Sequence, residues 1–109
     1  MVMTDVTSVA ANTTTGNLLA GKNKEFLDEA SILQIGAVAA AVGVFCTVVV
    51  GTEVIVDDQQ LGVGTTLPIF PDQILAEGGG FAGDRVTLRM RNSTGAAIIC
   101  YTKINISPV

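Results

Sequence analysis

Two runs of β-branched residues on either side of a two-residue turn constrain this fold more than any other feature. CTVVV at 46–50 and EVIVD at 53–57 flank the dipeptide Gly51-Thr52. Glycine readily adopts the positive φ that a two-residue hairpin turn requires, so the pattern predicts a β-hairpin. The predicted cross-strand pairs are Val49 with Val54, Thr47 with Val56, and Val48 with Ile55.

The segment before this turn is uncharged and admits a second interpretation. Residues 31–50 contain no charged side chain, and their length is sufficient for a membrane-spanning helix. Gln34, Gly36 and Gly43 interrupt the apolar run, and its second half is β-branched. We therefore expect two strands, about 30–39 and 44–50, and no contact with a membrane. A small membrane protein spanning 31–50 remains an alternative.

The last third of the chain alternates between apolar and polar residues. The alternation runs through residues 83–92 and resumes over 96–106, with the turn-forming sequence NSTG at 92–95 between them. This pattern predicts a second hairpin. Before it, Pro71 begins a stretch typical of one helical turn, and Gly78–Gly80 is expected to act as a flexible joint.

Together these segments predict an all-β protein. The expected architecture is a small β-sandwich or jelly-roll-like barrel of six to eight strands. Residues 1–24 are rich in Thr, Asn, Gly and Ser and have few large apolar side chains. We expect them to form an extended N-terminal arm, with the β-sandwich domain over 25–109.

The composition indicates self-association. The chain is 49% apolar and only 15% charged, against about 25% charged in a typical soluble domain. A single small domain has little interior in which to bury that surplus, so we expect a homo-oligomer, of which a trimer is one candidate. The formal net charge of −4 argues against nucleic acid as a partner.

Residues that could carry chemistry are few. The chain has no His, which excludes imidazole bases, triads and imidazole metal ligands. Adjacent Asp57 and Asp58 should point to opposite faces of a strand. Cys46 and Cys100 lie in apolar runs and are expected to be reduced and buried. A disulfide between them is the alternative if their strands are neighbours. We assign no catalytic, cofactor-binding or metal-binding residue and expect no cofactor and no enzymatic activity.

The candidate site is instead an interaction surface. Alternation places the basic residues of 85–91 on one sheet face, and Lys103 on the paired strand is expected to join them. The hairpin around Gly51 presents valines on both of its faces, one of which a second subunit could cover. The candidate interface residues are Arg85, Arg89, Arg91, Lys103, Val48, Val54 and Val56.

The strand and turn cadence of the C-terminal half resembles a known class of proteins. PIFPDQIL at 68–75, GDRVTLRMRNSTG at 83–95 and INISPV at 104–109 are similar to small β-sandwich structural proteins of bacteriophage particles, of the capsid decoration or cement type. The resemblance implies a non-enzymatic component of the virion, assembled in the host cytoplasm. It also implies that the chain stabilises a capsid lattice as a decoration or minor capsid protein, with virion proteins such as the major capsid protein as partners.

A receptor- or carbohydrate-binding module of a fibre or spike is the other alternative. Sugar sites usually stack their ligand on aromatic rings, but this chain has four Phe, one Tyr and no Trp. The aromatic content therefore favours the capsid hypothesis over the carbohydrate hypothesis.

Overall fold

A computed structural model describes residues 2–21, 25–68 and 74–108. In these residues it contains nine β-strands and no helix. The strands are β1 (Val2–Val9), β2 (Thr13–Thr14), β3 (Ser31–Ala39), β4 (Val44–Val50), β5 (Glu53–Gln60), β6 (Gly62–Val63), β7 (Ala76–Gly80), β8 (Val86–Asn92) and β9 (Ile98–Pro108). The expectation of a small all-β sandwich is confirmed.

The strands form two sheets that pack face to face. The first sheet has the order β1-β9-β3, and the far edge of β3 pairs with β7 along its first half and with β6 at its end. The second sheet has the order β2-β8-β4-β5. Both central pairs, β9 with β3 and β8 with β4, are antiparallel and in continuous register.

Alternating burial along the central strands forms the core between the sheets. Odd-numbered residues of β3 and even-numbered residues of β4, β8 and β9 point inward, because successive side chains of a strand face opposite sides. The fully buried large side chains include Leu33, Ile35 and Ile104 of the first sheet and Val44, Val48, Leu88 and Met90 of the second.

The β4–β5 hairpin has the predicted turn, but its register differs beyond the first pairs. Gly51 has φ of 61°, and Val49 lies opposite Val54 as predicted. Val48 then lies opposite Val56, because a bulge takes Ile55 out of the ladder. The predicted pairs Thr47–Val56 and Val48–Ile55 are therefore wrong. The register of the two strands shifts a second time between Val48 and Cys46. Near this shift, Asp58 of β5 adopts a positive φ of 49°.

The predicted second hairpin is wrong, because β8 and β9 belong to different sheets. The connection over 93–97 crosses from one sheet to the other. The buried side chain of Asn92 holds it in place by hydrogen bonds. The Asn92 amide nitrogen donates to the Val9 and Ala96 carbonyls, and its oxygen accepts from Thr94. These bonds satisfy the buried amide at the point where the chain leaves the second sheet.

Residues 2–21 pack against the rest of the same chain. β1 pairs with β9 over its whole length, and the segment after β2 follows the edge of β8. The Asn17 side chain continues the ladder there, since it donates to the Val86 carbonyl and accepts from the Leu88 amide. The predicted arm is thus extended but lies in the sandwich. Its boundary, at residue 24, falls on residues outside the described ranges, and the division into arm and domain stays a prediction.

Residues 31–50 form β3 and β4 with a turn between them, close to the predicted limits. This is not the helix of the membrane-protein alternative. Among the described residues, no helix is of a length and apolar character that would let it cross a bilayer.

Gly78–Gly80, expected to be a flexible joint, instead forms the end of strand β7, paired with β3. Glycine fits because the neighbouring elements approach closely. A Cβ on Gly80 would lie 2.5 Å from Leu27 Cδ1 and 2.6 Å from Val50 Cγ1, both buried side chains. The helical turn predicted from Pro71 begins on residues 71–73, outside the described residues, and its end at Ala76 and Glu77 is strand.

The glycines of β7 give a direct test of this packing. Gly80→Ala should lower the free energy of unfolding by about 1–3 kcal/mol, because the added methyl group overpacks a buried site. Gly79→Ala is the control, because the nearest atom to its Cβ would be the Ser31 carbonyl oxygen at 3.8 Å. Chemical denaturation of both variants measures the difference. Equal stability would contradict the close approach of β7 to the core.

Candidate interaction surface

The predicted arginines lie on the outer side of the second sheet. Arg89 and Arg91 project outward from β8, and Arg85 directly precedes this strand. Lys103 does not join them, because β9 belongs to the first sheet and pairs there with β1 and β3. The expectation that the four basic residues share one face is therefore wrong, and the reason is the sheet-crossing connection between β8 and β9.

Arg91 is held by two neighbours. Its Nε and Nη2 donate to the two carboxylate oxygens of Asp58 at 3.1 and 2.8 Å, and its guanidinium stacks 4.3 Å from the centroid of the Phe45 ring. The hydrogen bond from Arg91, followed by its charge, lowers the pKa of Asp58 below its usual value. This bidentate pair neutralises the cation and fixes its plane, so Arg91 presents a rigid surface with little net charge.

Arg85 is also paired. Its Nε donates to Glu25 Oε2 at 2.9 Å, while the other oxygen of Glu25 accepts from the Gly21 amide. The Gly21 bond and then the arginine lower the pKa of Glu25. Two of the three arginines are therefore engaged in ion pairs within the chain, which leaves Arg89 as the remaining basic residue of the predicted set on the second sheet.

The three predicted valines have different environments. Val48 and Val56 point into the core and are buried, so they do not contribute to an outer surface. Val54 is 55% exposed on the opposite side of β5. Residues two apart in a regular strand point to the same face. The bulge at Ile55 shifts this alternation, so Val54 is exposed and Val56 is buried.

An exposed apolar surface lies at one end of the sandwich and was missed by the sequence analysis. Phe81 is 77% exposed and Ile32 is 49% exposed, and both line an open groove of about 370 Å³. The other lining residues are Ala30, Ser31, Glu53, Gly79 and Gly80. We call this feature the Phe81 groove. Exposed aromatic side chains beside an apolar depression are characteristic of protein interfaces.

Local hydrogen bonds hold Phe81 in this exposed position. The Phe81 amide donates to the Asp84 carboxylate at 2.9 Å, and the Asp84 amide donates back to the Phe81 carbonyl. Gly83 completes the turn with φ of 88°. The sequence FAGD at 81–84 has the residue types of such a turn, with Asp and Gly in its second half. That pattern was the available signal, but it does not reveal which way the phenylalanine points.

Groups able to hold a metal ion do not converge in the described part of the chain. No set of three Cys, Asp or Glu side chains there is placed to hold a metal ion. A polar depression of about 300 Å³ beside β2 is lined by Asn12, Thr13, Thr14, Arg91, Asn92 and Ser93. Its one cation, Arg91, is already bound to Asp58, so the depression offers hydrogen bonds more than charge.

The two cysteines are reduced and fully buried, on inward-facing positions of β4 and β9. Burial raises the pKa of the Cys46 thiol to about 12, and the proximity of the Cys100 charge adds to this shift. Burial raises the pKa of Cys100 to about 11. Both thiols are therefore protonated and unreactive at neutral pH.

These shifts predict that the protein loses stability at high pH. An unfolded thiol ionises near pH 9.0, whereas Cys46 in the folded chain ionises only near 12. The unfolded state therefore loses its proton first, and the free energy of unfolding should fall as the pH rises from about 9 towards 12. Thermal melts of the native chain and of Cys46→Ala should show a shallower decline in the variant.

The same two proteins provide the control at lower pH. Between about pH 6 and pH 8 neither thiol ionises, so their melting temperatures should run parallel, offset only by the cavity that the alanine leaves. An equally steep decline above about pH 9 in both proteins would contradict the assignment of the shift to Cys46.

Comparison with known protein families, with curated proteins and with solved structures finds no match for this chain. The resemblance to capsid decoration proteins stays a prediction.

Proposed function

We propose that this protein is a non-enzymatic structural component of a virus particle, which associates with itself and binds the capsid shell as a decoration or minor capsid protein. Its partner in this role is a virion protein such as the major capsid protein, and its location is the virion. The observation that carries the proposal is the Phe81 groove, an open depression beside an exposed phenylalanine on a hydrogen-bonded turn.

Phe81 has the properties of an interface residue. A phenylalanine that is 77% exposed contributes little to its own fold, yet its turn is fixed by two hydrogen bonds to Asp84. Because the turn is already fixed, its backbone loses little conformational entropy when a partner covers Phe81. Aromatic anchors of this kind carry much of the binding free energy in protein interfaces.

The electrostatic character of the surface fits the same role. Arg85 and Arg91 are paired with Glu25 and Asp58 within the chain, so these two arginines add little net charge to the outer surface of the second sheet. A shell-binding protein present in many copies benefits from low surface charge, because like-charged neighbours repel one another. The low charged fraction of the sequence supports this interpretation.

The test is co-sedimentation of the purified protein with capsid shells of the virus that encodes it, the shells being purified from infected cells. The native protein should band with the shells in a density gradient, and Phe81→Ser should weaken the association by about tenfold or more. Its melting temperature should barely change, because Phe81 is exposed.

Phe26→Ser is the matched control, since Phe26 is also exposed but does not line the groove. This variant should bind the shells as the native chain does. A native protein that stays at the top of the gradient would overturn the proposal, and so would equal binding of Phe81→Ser.

A further inference from the structure

β1 is an outer strand with one open edge. It forms the end of the first sheet, and no described strand pairs with its other side. The strand keeps a regular register with β9 over all eight residues, and its sequence contains one charge, Asp5, and neither proline nor glycine. Such an edge presents backbone N–H and C=O groups that can pair with another strand.

The other described edges are blunted. β5 carries two register shifts and the acidic residues Glu53, Asp57 and Asp58, and bulges and charges both discourage edge pairing. β2 and β6 have two residues each, and the Asn17 side chain caps the edge of β8 beyond β2. β7 is five residues long and includes three glycines. Of these edges, β1 is the one that is both long and regular.

We propose that β1 pairs antiparallel with β1 of a second copy of this chain, about a twofold axis at Val6. The two first sheets then form one continuous sheet across the dimer. This inference rests on the self-association in the proposed function, but it does not require binding to a shell.

The position of the axis follows from strand geometry and charge. Residues opposite each other in an antiparallel pair point to the same face, so a twofold axis must place one residue opposite its own copy. Axes at Asp5 and at Val6 give the longest overlap of β1 with itself. An axis at Asp5 sets two carboxylates against each other, which is destabilising, whereas an axis at Val6 sets valine against valine.

An apolar row on the outer face of the first sheet supports the same axis. Val6, which is 57% exposed, lies beside Tyr101 of β9, and Tyr101 lies beside Val38 of β3. With the axis at Val6, the rows of the two copies meet end to end and form a single row of six apolar side chains. An edge that matches its own copy in this way favours a second copy over a strand from another protein.

Cysteine cross-linking tests the register directly. The Val6→Cys residues of two copies would lie with Cα atoms about 4.5–5.5 Å apart, within reach of a disulfide. Those of Thr4→Cys would lie about 13 Å apart along the strands, because Thr4 then faces Ser8 of the other copy. The native cysteines do not interfere, since both are fully buried.

Mild oxidation of each variant by itself should therefore cross-link Val6→Cys but not Thr4→Cys or Ser8→Cys, which should run as single chains on a denaturing, non-reducing gel. A mixture of Thr4→Cys and Ser8→Cys should cross-link. Failure of Val6→Cys to cross-link would overturn the proposal, and so would equal cross-linking of all three single variants.

Light scattering across a range of concentrations separates this inference from the broader proposal. Val6→Lys should shift the native dimer to monomer, because it sets two like charges on the axis, whereas Val54→Lys should not, although Val54 has similar exposure on β5. Oligomers that survive in Val6→Lys would overturn the β1 pairing and leave self-association standing. A native chain that is monomeric throughout would overturn both.

Discussion

A two-layer sandwich must satisfy or hide the backbone hydrogen-bonding groups at four sheet edges, and this constraint organises the molecule. At β8 the edge is closed by β2 and then by the side chain of Asn17, which donates and accepts where a strand would. At β5 it is disrupted by bulges at Ile55 and Asp58, and at β3 it is divided between two short strands. The edge of β1 is long and regular and pairs with no described strand, and we infer that a second copy covers it.

Local chemistry made part of the fold predictable. The turn at Gly51-Thr52 and the limits of β3 and β4 follow from positive φ and β-branched runs, which act over a few residues. Ile55, at the bulge, lies against Gly78 of β7, and no local sequence pattern reports that contact. The alternation of β8 and β9 is equally compatible with a hairpin and with a crossing between sheets, so tertiary packing decides between them.

The candidate site shows the same limit. The outward direction of the arginines could be predicted from alternation, but the pairs that Arg85 and Arg91 form with Glu25 and Asp58 join residues distant in sequence and offset two of the three charges. The separation of Lys103 follows from the sheet order. Phe81 could have been noticed from the turn sequence that follows it, yet its exposure is set by how β7 enters the turn. The two surfaces that now carry the proposals, the Phe81 groove and the edge of β1, both depend on the assembled fold.

Amide hydrogen exchange in β1, followed as a function of protein concentration, tests the account most directly. The edge of β1 is open in a single copy and bonded in the dimer, so alternate amides of residues 3–9 should become more protected as the concentration rises. The amides of β5 should not respond, because that edge is bulged and charged. Protection in β1 that does not depend on concentration would contradict the claim that a second copy completes this sheet.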